Sequence, residues 1–236
     1  MRVLAIDTAT TALVTGVVDT ATGPSTERVW EDTRAHNELL IPTITEVLAE
    51  AGMEYSDLEA VVTGVGPGPF TGLRVGMATA SALADALSIP LHGICTHDAI
   101  AAAAELHLDP AAAADEATAL VATDARRKEI YWATYRATDS GVQRISGPAV
   151  TKPAELEVEL ASTAEVIIPD RLAEQLPEKL AALPHRAAHP TAAALVATAD
   201  LEAEPAPVVP LYLRRPDAVP PKQQQQLSAA IPKVEL

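Results

Sequence analysis

The order of predicted strands and helices in the first 106 residues constrains the fold more than any other feature of the chain. Three short runs rich in β-branched residues, separated by turns of Asp, Thr, Gly and Pro, predict an antiparallel meander. Apolar residues then recur at helical spacing, and helices alternate with strands. The predicted strands span 3–6, 13–18, 27–33, 60–62 and 90–95. The predicted helices span 37–51, 71–87 and 96–106, with Thr96 or Asp98 as the expected cap of the last one.

The order β-β-β-α-β-α-β-α is neither a Rossmann repeat nor a sandwich. It is the half-unit of the actin–hexokinase–heat-shock ATPase architecture, an α/β fold related to ribonuclease H. A second, shorter series of predicted strands begins at residue 118 and spans 118–123, 129–136, 142–145 and 166–168. Helices are predicted at 153–160, from about residue 170, and at 191–201. We therefore expect two tandem lobes, the second degenerate, spanning 1–108 and 109–215. The Pro- and Gln-rich tail at 216–236 is expected to be disordered.

Charge limits the partners that the isolated chain can bind. Acidic residues outnumber basic ones by 32 to 17, which gives a net charge of -15. Such a surface repels phosphate backbones, because affinity for nucleic acid rests largely on Lys and Arg. Basic residues cluster only at 126–128 and 214–215. If the protein acts on RNA, we expect a partner to hold most of the RNA.

The single cysteine and the absence of long apolar runs indicate a cytoplasmic protein. Cys95 follows an apolar run and is expected to be a small core residue, with no disulfide or cysteine-based zinc cluster. The apolar opening run is interrupted at Asp7, too early for a secretion signal. No run of 18 uncharged apolar residues predicts a membrane span.

The turn after the first predicted strand contains Asp7, Thr8 and Thr10. In the ATPase architecture, an acidic residue here orients a magnesium-bound water, and the hydroxyl and amide groups of the turn hold phosphates. The alternative is a turn that caps its own backbone amides, which is common for Asp and Thr. From the residues alone, the self-capping turn is favoured.

A Gly/Pro-rich loop at 64–74 (GVGPGPFTGLR) is the most informative segment. Glycines permit close backbone approach, and the loop leads into a helix whose amino terminus could attract an anion. However, the loop matches neither a P-loop nor a dinucleotide fingerprint, and its prolines make it stiff. Rigid prolines beside Phe70 are more typical of a shaped contact surface than of a phosphate cradle.

The helix after this loop carries Gly72, Gly76, Ala80 and Ala84 at intervals of four residues. Such a ridge of small residues allows another helix to approach closely. The neighbour could be a helix of the same chain or of a protein partner, and the spacing does not distinguish the two.

Nothing in the histidine pattern predicts a metal site. His36 and Glu38 are two residues apart and do not share a helical face. The two histidines of residues 185–189 (HRAAH) are four residues apart, but Pro184 and Pro190 bracket them and favour a loop.

The charged segment at residues 124–132 (DARRKEIYW) is interpreted as a solvated hairpin between two strands.

Several of these segments together resemble the TsaB (YeaZ) family. The matches are Ala5-Ile6-Asp7-Thr8, residues 34–38 with Asn37 in place of Ser, residues 64–74 with Pro69 in place of Ser, residues 124–127, and residues 212–214. The resemblance covers about residues 1–218, and the Gly/Pro loop is its most specific part.

The resemblance implies a non-catalytic subunit of the complex that forms N6-threonylcarbamoyladenosine in tRNAs reading codons that begin with A. Such proteins pair with a TsaD-like transferase, work with a TsaE-like ATPase, and form homodimers when alone. The resemblance further implies no metal and no catalytic residue. It implies at most weak or vestigial ATP or ADP binding at Asp7, Thr8 and Thr10. The protein is expected to contact tRNA only indirectly, through the complex. The expected interface residues are Arg34, His36, Glu38, Leu39, Leu40, Pro67, Phe70, Gly72, Leu73, Arg74, Gly76, Ala80 and Ala84.

Two other functions share this architecture or superfamily. A small-molecule kinase would need a second phosphate loop in the carboxyl-terminal half, where no Gly-rich candidate occurs. A glycoprotease-like metallopeptidase would need a nucleophile or a zinc site, and the residues offer neither.

Overall fold

The computed structural model describes residues 1–23, 25–106, 117–139, 141–158 and 163–214. Its first sheet has five strands in the order β3-β2-β1-β4-β5. These strands are β1 (Arg2–Asp7), β2 (Leu13–Asp19), β3 (Ser25–Trp30), β4 (Ala60–Gly64) and β5 (Leu91–Ile94). The β1, β2 and β3 strands form the predicted antiparallel meander, and β4 and β5 add to it in parallel.

Two helices make the crossovers of this sheet, α1 (His36–Glu50) and α2 (Phe70–Leu87), and a third, α3 (Thr96–Ala103), follows β5. The predicted element order of the first half is confirmed. The α2 helix ends where Ser88 adopts the left-handed conformation, with φ of 55°. No side chain caps the amino terminus of α3, although Thr96 or Asp98 would be the expected cap.

The second sheet repeats this topology in the order β8-β7-β6-β9-β10. Its strands are β6 (Thr118–Asp124), β7 (Ile130–Thr138), β8 (Gly141–Thr151), β9 (Thr163–Ile167) and β10 (His185–Arg186). Again the first three strands are antiparallel and the last two join in parallel. The helices after β9 are short, α4 (Asp170–Ala173) and α5 (Glu178–Ala181). The predicted fold class, with two related lobes and a degenerate second one, is confirmed.

The first sheet is covered on both faces, which explains why β1 is apolar at nearly every position. Leu4 and Ile6 pack with residues of α1 and α2. Val3 and Ala5 point to the opposite face and pack with α3 and α6 (Ala192–Thr198).

The α6 helix packs on a different sheet from the one that its position in the sequence predicts. This helix follows the second sheet in sequence but lies on the first sheet, against β1, β2 and β4. The described residues between 117 and 214 therefore pack on both sheets. The 108/109 boundary and the tail at 216–236 lie outside the described residues.

Other differences are local. The helix predicted at 153–160 is wrong, because the described part is a single 3-10 turn, Pro153–Glu155. The β8 strand is longer than the predicted 142–145, since it pairs with β7 along most of its length. Among the described residues, no helix is long and apolar enough to span a bilayer.

Candidate functional site

Asp7 ends β1 and is fully buried beneath the Gly/Pro loop. Its Oδ1 accepts a hydrogen bond from the Ala9 amide at 2.9 Å. Its Oδ2 accepts one from Thr96 Oγ1 at 2.7 Å, and the Gly66 amide donates to the same Thr96 oxygen at 3.2 Å. The carboxylate is therefore engaged by its own chain, as expected for the self-capping turn.

The hydroxyl of Thr8 is engaged in the same way. Thr8 Oγ1 donates to the Gly72 carbonyl at 2.7 Å and accepts from the Gly76 amide at 3.0 Å. A Cβ at Gly76 would lie only 2.3 Å from Thr8 Oγ1. Because α2 approaches the turn this closely, glycine is required at the point of contact.

The Gly/Pro loop fills the space above the turn. A Cβ at Gly64 would lie 1.7 Å from Asp7 Oδ2, and one at Gly68 would lie 1.9 Å from the Ala9 carbonyl oxygen. The two glycines therefore serve close packing of the loop on the turn. In sequence, the two segments look like a phosphate-binding turn beside a glycine loop. In the structure, the loop packs directly on the turn.

Burial raises the pKa of Asp7 from 3.8 to about 6, against the lowering effect of its hydrogen bonds from Thr96 and Ala9. A carboxyl whose pKa is higher in the folded than in the unfolded state makes folding less favourable once it ionises. The free energy of unfolding should therefore fall as pH rises from about 4 to about 6, by about 3 kcal/mol from this group.

We expect Asp7→Asn to remove that pH-dependent loss, because the amide has no charge to desolvate. The measurement is urea unfolding of both proteins between pH 4 and 8, where all other acids cancel in the comparison. A difference in unfolding free energy that stays constant over this range would contradict the raised pKa.

The exposed end of the loop carries an aromatic–cation cluster, formed by Phe70, Arg74 and Tyr212. The Phe70 and Tyr212 rings stack with centroids 5.2 Å apart. The Arg74 guanidinium lies 3.8 Å from the Phe70 centroid, and its Nε donates to Tyr212 Oη at 2.8 Å. Phe70 and Tyr212 remain 46% and 41% exposed. Large exposed aromatic rings beside an arginine are typical of protein-binding hot spots.

The small-residue ridge of α2 faces inward, which corrects the predicted interface. Gly76, Ala80 and Ala84 are buried within the chain, and Ala80 and Ala84 pack in the core with α1 and β1 residues. The ridge thus serves intramolecular packing, and these three residues are not available to a partner. Leu40, Pro67 and Leu73, also expected at the interface, are buried too.

The remaining predicted interface residues divide by exposure. Leu39 and Gly72 are half-buried, and Arg34, Glu38, Phe70 and Arg74 are exposed. His36 is half-buried against the turn at Thr10 and Ala12, and burial lowers its pKa.

A cavity of about 560 Å³ is lined by residues of both lobes. Its lining includes Thr10 of the first-lobe turn but not Asp7. The charged lining residues are Glu31, Asp32, Asp124, Asp170, Arg126, Arg171 and His189. Arg171 pairs with Asp124 at 2.8 Å, and His189 Nε2 lies 3.7 Å from Glu31. The lining has four carboxylates and two arginines, so the cavity is acidic.

No metal or reactive thiol is evident in the described ranges. They hold no group of three His, Cys, Asp or Glu side chains arranged for a metal ion. Cys95 is buried as predicted, and burial raises the pKa of its thiol to about 11. The prediction of no metal site stays a prediction for the whole chain.

Sequence reasoning missed two residues that build the site. Thr96, predicted as a helix cap, instead binds Asp7, which lies 89 residues earlier. Tyr212 lies 138 residues after Arg74, and no local pattern joins them. For the second contact the available signal was that Arg74 and Tyr212 both fall in segments that match the same family.

The doubled topology and the filled turn define a two-lobed protein of the actin–hexokinase architecture. Residues 30–199 match the family model described as "TsaD: tRNA N6-adenosine threonylcarbamoyltransferase". Two solved Pseudomonas aeruginosa structures, one described as YeaZ and one as similar to peptidase YEAZ, are each 26% identical to this chain. They superpose with TM-scores of 0.71 and 0.73, covering 90% of this chain and 99% of theirs.

Sequence relatives agree with this result. The Escherichia coli "tRNA threonylcarbamoyladenosine biosynthesis protein TsaB" is 34% identical over 143 residues, covering 60% of this chain and 58% of its own length. The "Uncharacterized protein Rv3421c" of Mycobacterium tuberculosis is 44% identical, covering 92% and 94%. The chain spans only 56% of a Mycobacterium leprae relative that is 46% identical. The chain belongs to the family that the model describes and, within it, to the TsaB (YeaZ) group.

Proposed function

We propose that this chain is a non-catalytic subunit of the complex that forms N6-threonylcarbamoyladenosine in tRNA. It pairs with a TsaD-like transferase, and a TsaE-like ATPase joins them in the cytoplasm. The observation that carries the proposal is the filled turn: Asp7 and Thr8, the residues placed to serve a nucleotide, are bonded to Thr96, Gly72 and Gly76 of the same chain. We infer the reaction from the names of the similar proteins, which describe threonylcarbamoyl transfer to tRNA and threonylcarbamoyladenosine biosynthesis.

The acidic cavity favours this role over a small-molecule kinase. A kinase of this architecture holds nucleotide phosphates between its lobes, where positive charge and free amides are needed. Here Glu31, Asp32 and Asp170 line the cavity, and Asp7 does not reach it. We infer at most weak ATP or ADP binding. The lack of a metal-ligand group in the described ranges gives no support to a metallopeptidase.

The outward face of α2 is the proposed docking surface. Phe70, Arg74, Ala78 and Ala82 recur every four residues along it and are exposed. Tyr212 extends the same surface by stacking on Phe70. The aromatic–cation cluster provides an anchor at one end, and the small alanines allow a partner helix to approach closely. The same surface would serve the homodimer, so homodimer and heterodimer are expected to exclude each other.

Reconstitution tests the proposal. Omitting this chain from a mixture of the TsaD-like and TsaE-like proteins, the threonylcarbamoyl donor, ATP and tRNA should abolish modification. Asp7→Asn should lower the rate by less than about tenfold, which corresponds to roughly 1.4 kcal/mol of transition-state stabilisation. A thousandfold loss, with the complex still assembled by size-exclusion chromatography, would mean that Asp7 belongs to a live active site.

A further inference from the structure

The tip of the hairpin between β6 and β7 is a strained and strongly basic segment. Arg126, Arg127 and Lys128 follow one another with φ of 64°, 52° and 62°. All three are exposed. Non-glycine residues seldom adopt this left-handed conformation, and three in succession cost free energy that glycine or asparagine would largely avoid. Strain of this kind is commonly retained where side chains have a function.

The hairpin holds this tip in a fixed conformation. The Arg126 amide donates to Asp124 Oδ1 at 2.7 Å, and the Glu129 amide donates to the Arg126 carbonyl at 3.0 Å. Arg214 binds the Ala125 carbonyl at 3.0 Å and also the Glu129 carboxylate.

The carboxylates beside the tip do not neutralise it. Asp124 is paired with Arg171, and Glu129 is paired with Arg214. These two carboxylates therefore do not offset the positive charges of Arg126 and Lys128, although the net charge of the chain is -15. Because the rest of the chain is acidic, an anionic ligand would be attracted to this basic tip and repelled by most of the remaining surface.

We propose that Arg126 and Lys128 contact backbone phosphates of tRNA in the assembled complex, an inference that rests on the proposed function. An RNA backbone can reach the exposed tip from outside the chain. A free nucleotide would have to enter the adjoining cavity, where Glu31, Asp32 and Asp170 repel its phosphates. The transferase still supplies most of the affinity, because two contacts are few for an RNA of this size.

The test is the salt dependence of tRNA affinity, measured by fluorescence anisotropy on the complete complex. Each phosphate contact contributes roughly 0.7–0.9 to the slope of log affinity against log salt. The double variant Arg126→Gln/Lys128→Gln should therefore flatten the slope by about 1.5. The control Arg28→Gln/Lys179→Gln removes the same charge from exposed sites elsewhere and should leave the slope unchanged.

A second measurement separates function from folding. Glycine accepts positive φ without strain, so Lys128→Gly should raise Tm, by about 2 °C. The same variant should weaken tRNA binding. A lower Tm would show that Lys128 stabilises the hairpin and would overturn the strain on which the proposal depends.

The outcomes are distinguishable. An assembled complex whose tip variant has the same slope as the control overturns the phosphate contact and leaves the proposed function intact. A tip variant that loses ATP affinity but keeps tRNA affinity overturns it in favour of nucleotide phosphates. If the wild-type chain fails to assemble with its partner, both the proposed function and this contact are wrong.

Discussion

Ala80→Trp should unfold the protein or lower its free energy of unfolding by at least about 3 kcal/mol. Ala80 is fully buried and packs with residues of α1 and β1. The indole has no free volume to enter, so helix and sheet must separate. Since small proteins are stable by only about 5–15 kcal/mol, the loss is a large fraction of the total. Urea unfolding followed by circular dichroism measures it.

The matched control is Ala78→Trp on the same helix. Ala78 is exposed, so its indole can project into solvent. At protein concentrations too low for dimers, the unfolding midpoint should therefore stay close to that of the wild type. If Ala80→Trp folds with wild-type stability, α2 must have its other face in the core, and the ridge would be available to a partner after all.

Ala78→Trp should weaken pairing with the TsaD-like partner by about a hundredfold, which corresponds to about 2.8 kcal/mol. The proposed surface lets helices approach closely at Ala78 and Ala82, and a large ring there holds the two backbones apart. Isothermal titration calorimetry against the purified partner measures the change. The homodimer should weaken in parallel, as sedimentation velocity can show.

Ala154→Trp is the control for adding an exposed indole. Ala154 is exposed in the 3-10 turn of the second lobe, on an element separate from the proposed surface. It should pair normally. Wild-type affinity for Ala78→Trp would place the interface on another face and leave the aromatic–cation cluster without its proposed role.

Periodicity was enough to predict the first lobe. The β1 to α3 order followed from β-branched runs and helical spacing, because both faces of this sheet are covered and its strands are clearly apolar. The second lobe was harder, since α4 and α5 have only four residues each and give almost no period to detect.

The inward face of α2 could not be identified from sequence, and the physical reason is composition. Alanines occupy both faces: Ala80 and Ala84 are buried, whereas Ala78 and Ala82 are exposed. With so little hydrophobic contrast, spacing alone predicts a ridge but not its direction. The contacts of Thr96 with Asp7, and of Tyr212 with Phe70, depend on tertiary folding and leave no local pattern.

Depletion of the chain in the cells that produce it, followed by mass spectrometry of tRNA nucleosides, tests the central claim most directly. We predict that N6-threonylcarbamoyladenosine falls sharply while other modified nucleosides are unchanged. Expression of the wild type or of Asp7→Asn should restore it, whereas Ala78→Trp should not. An unchanged level of N6-threonylcarbamoyladenosine after complete depletion would contradict the proposed function.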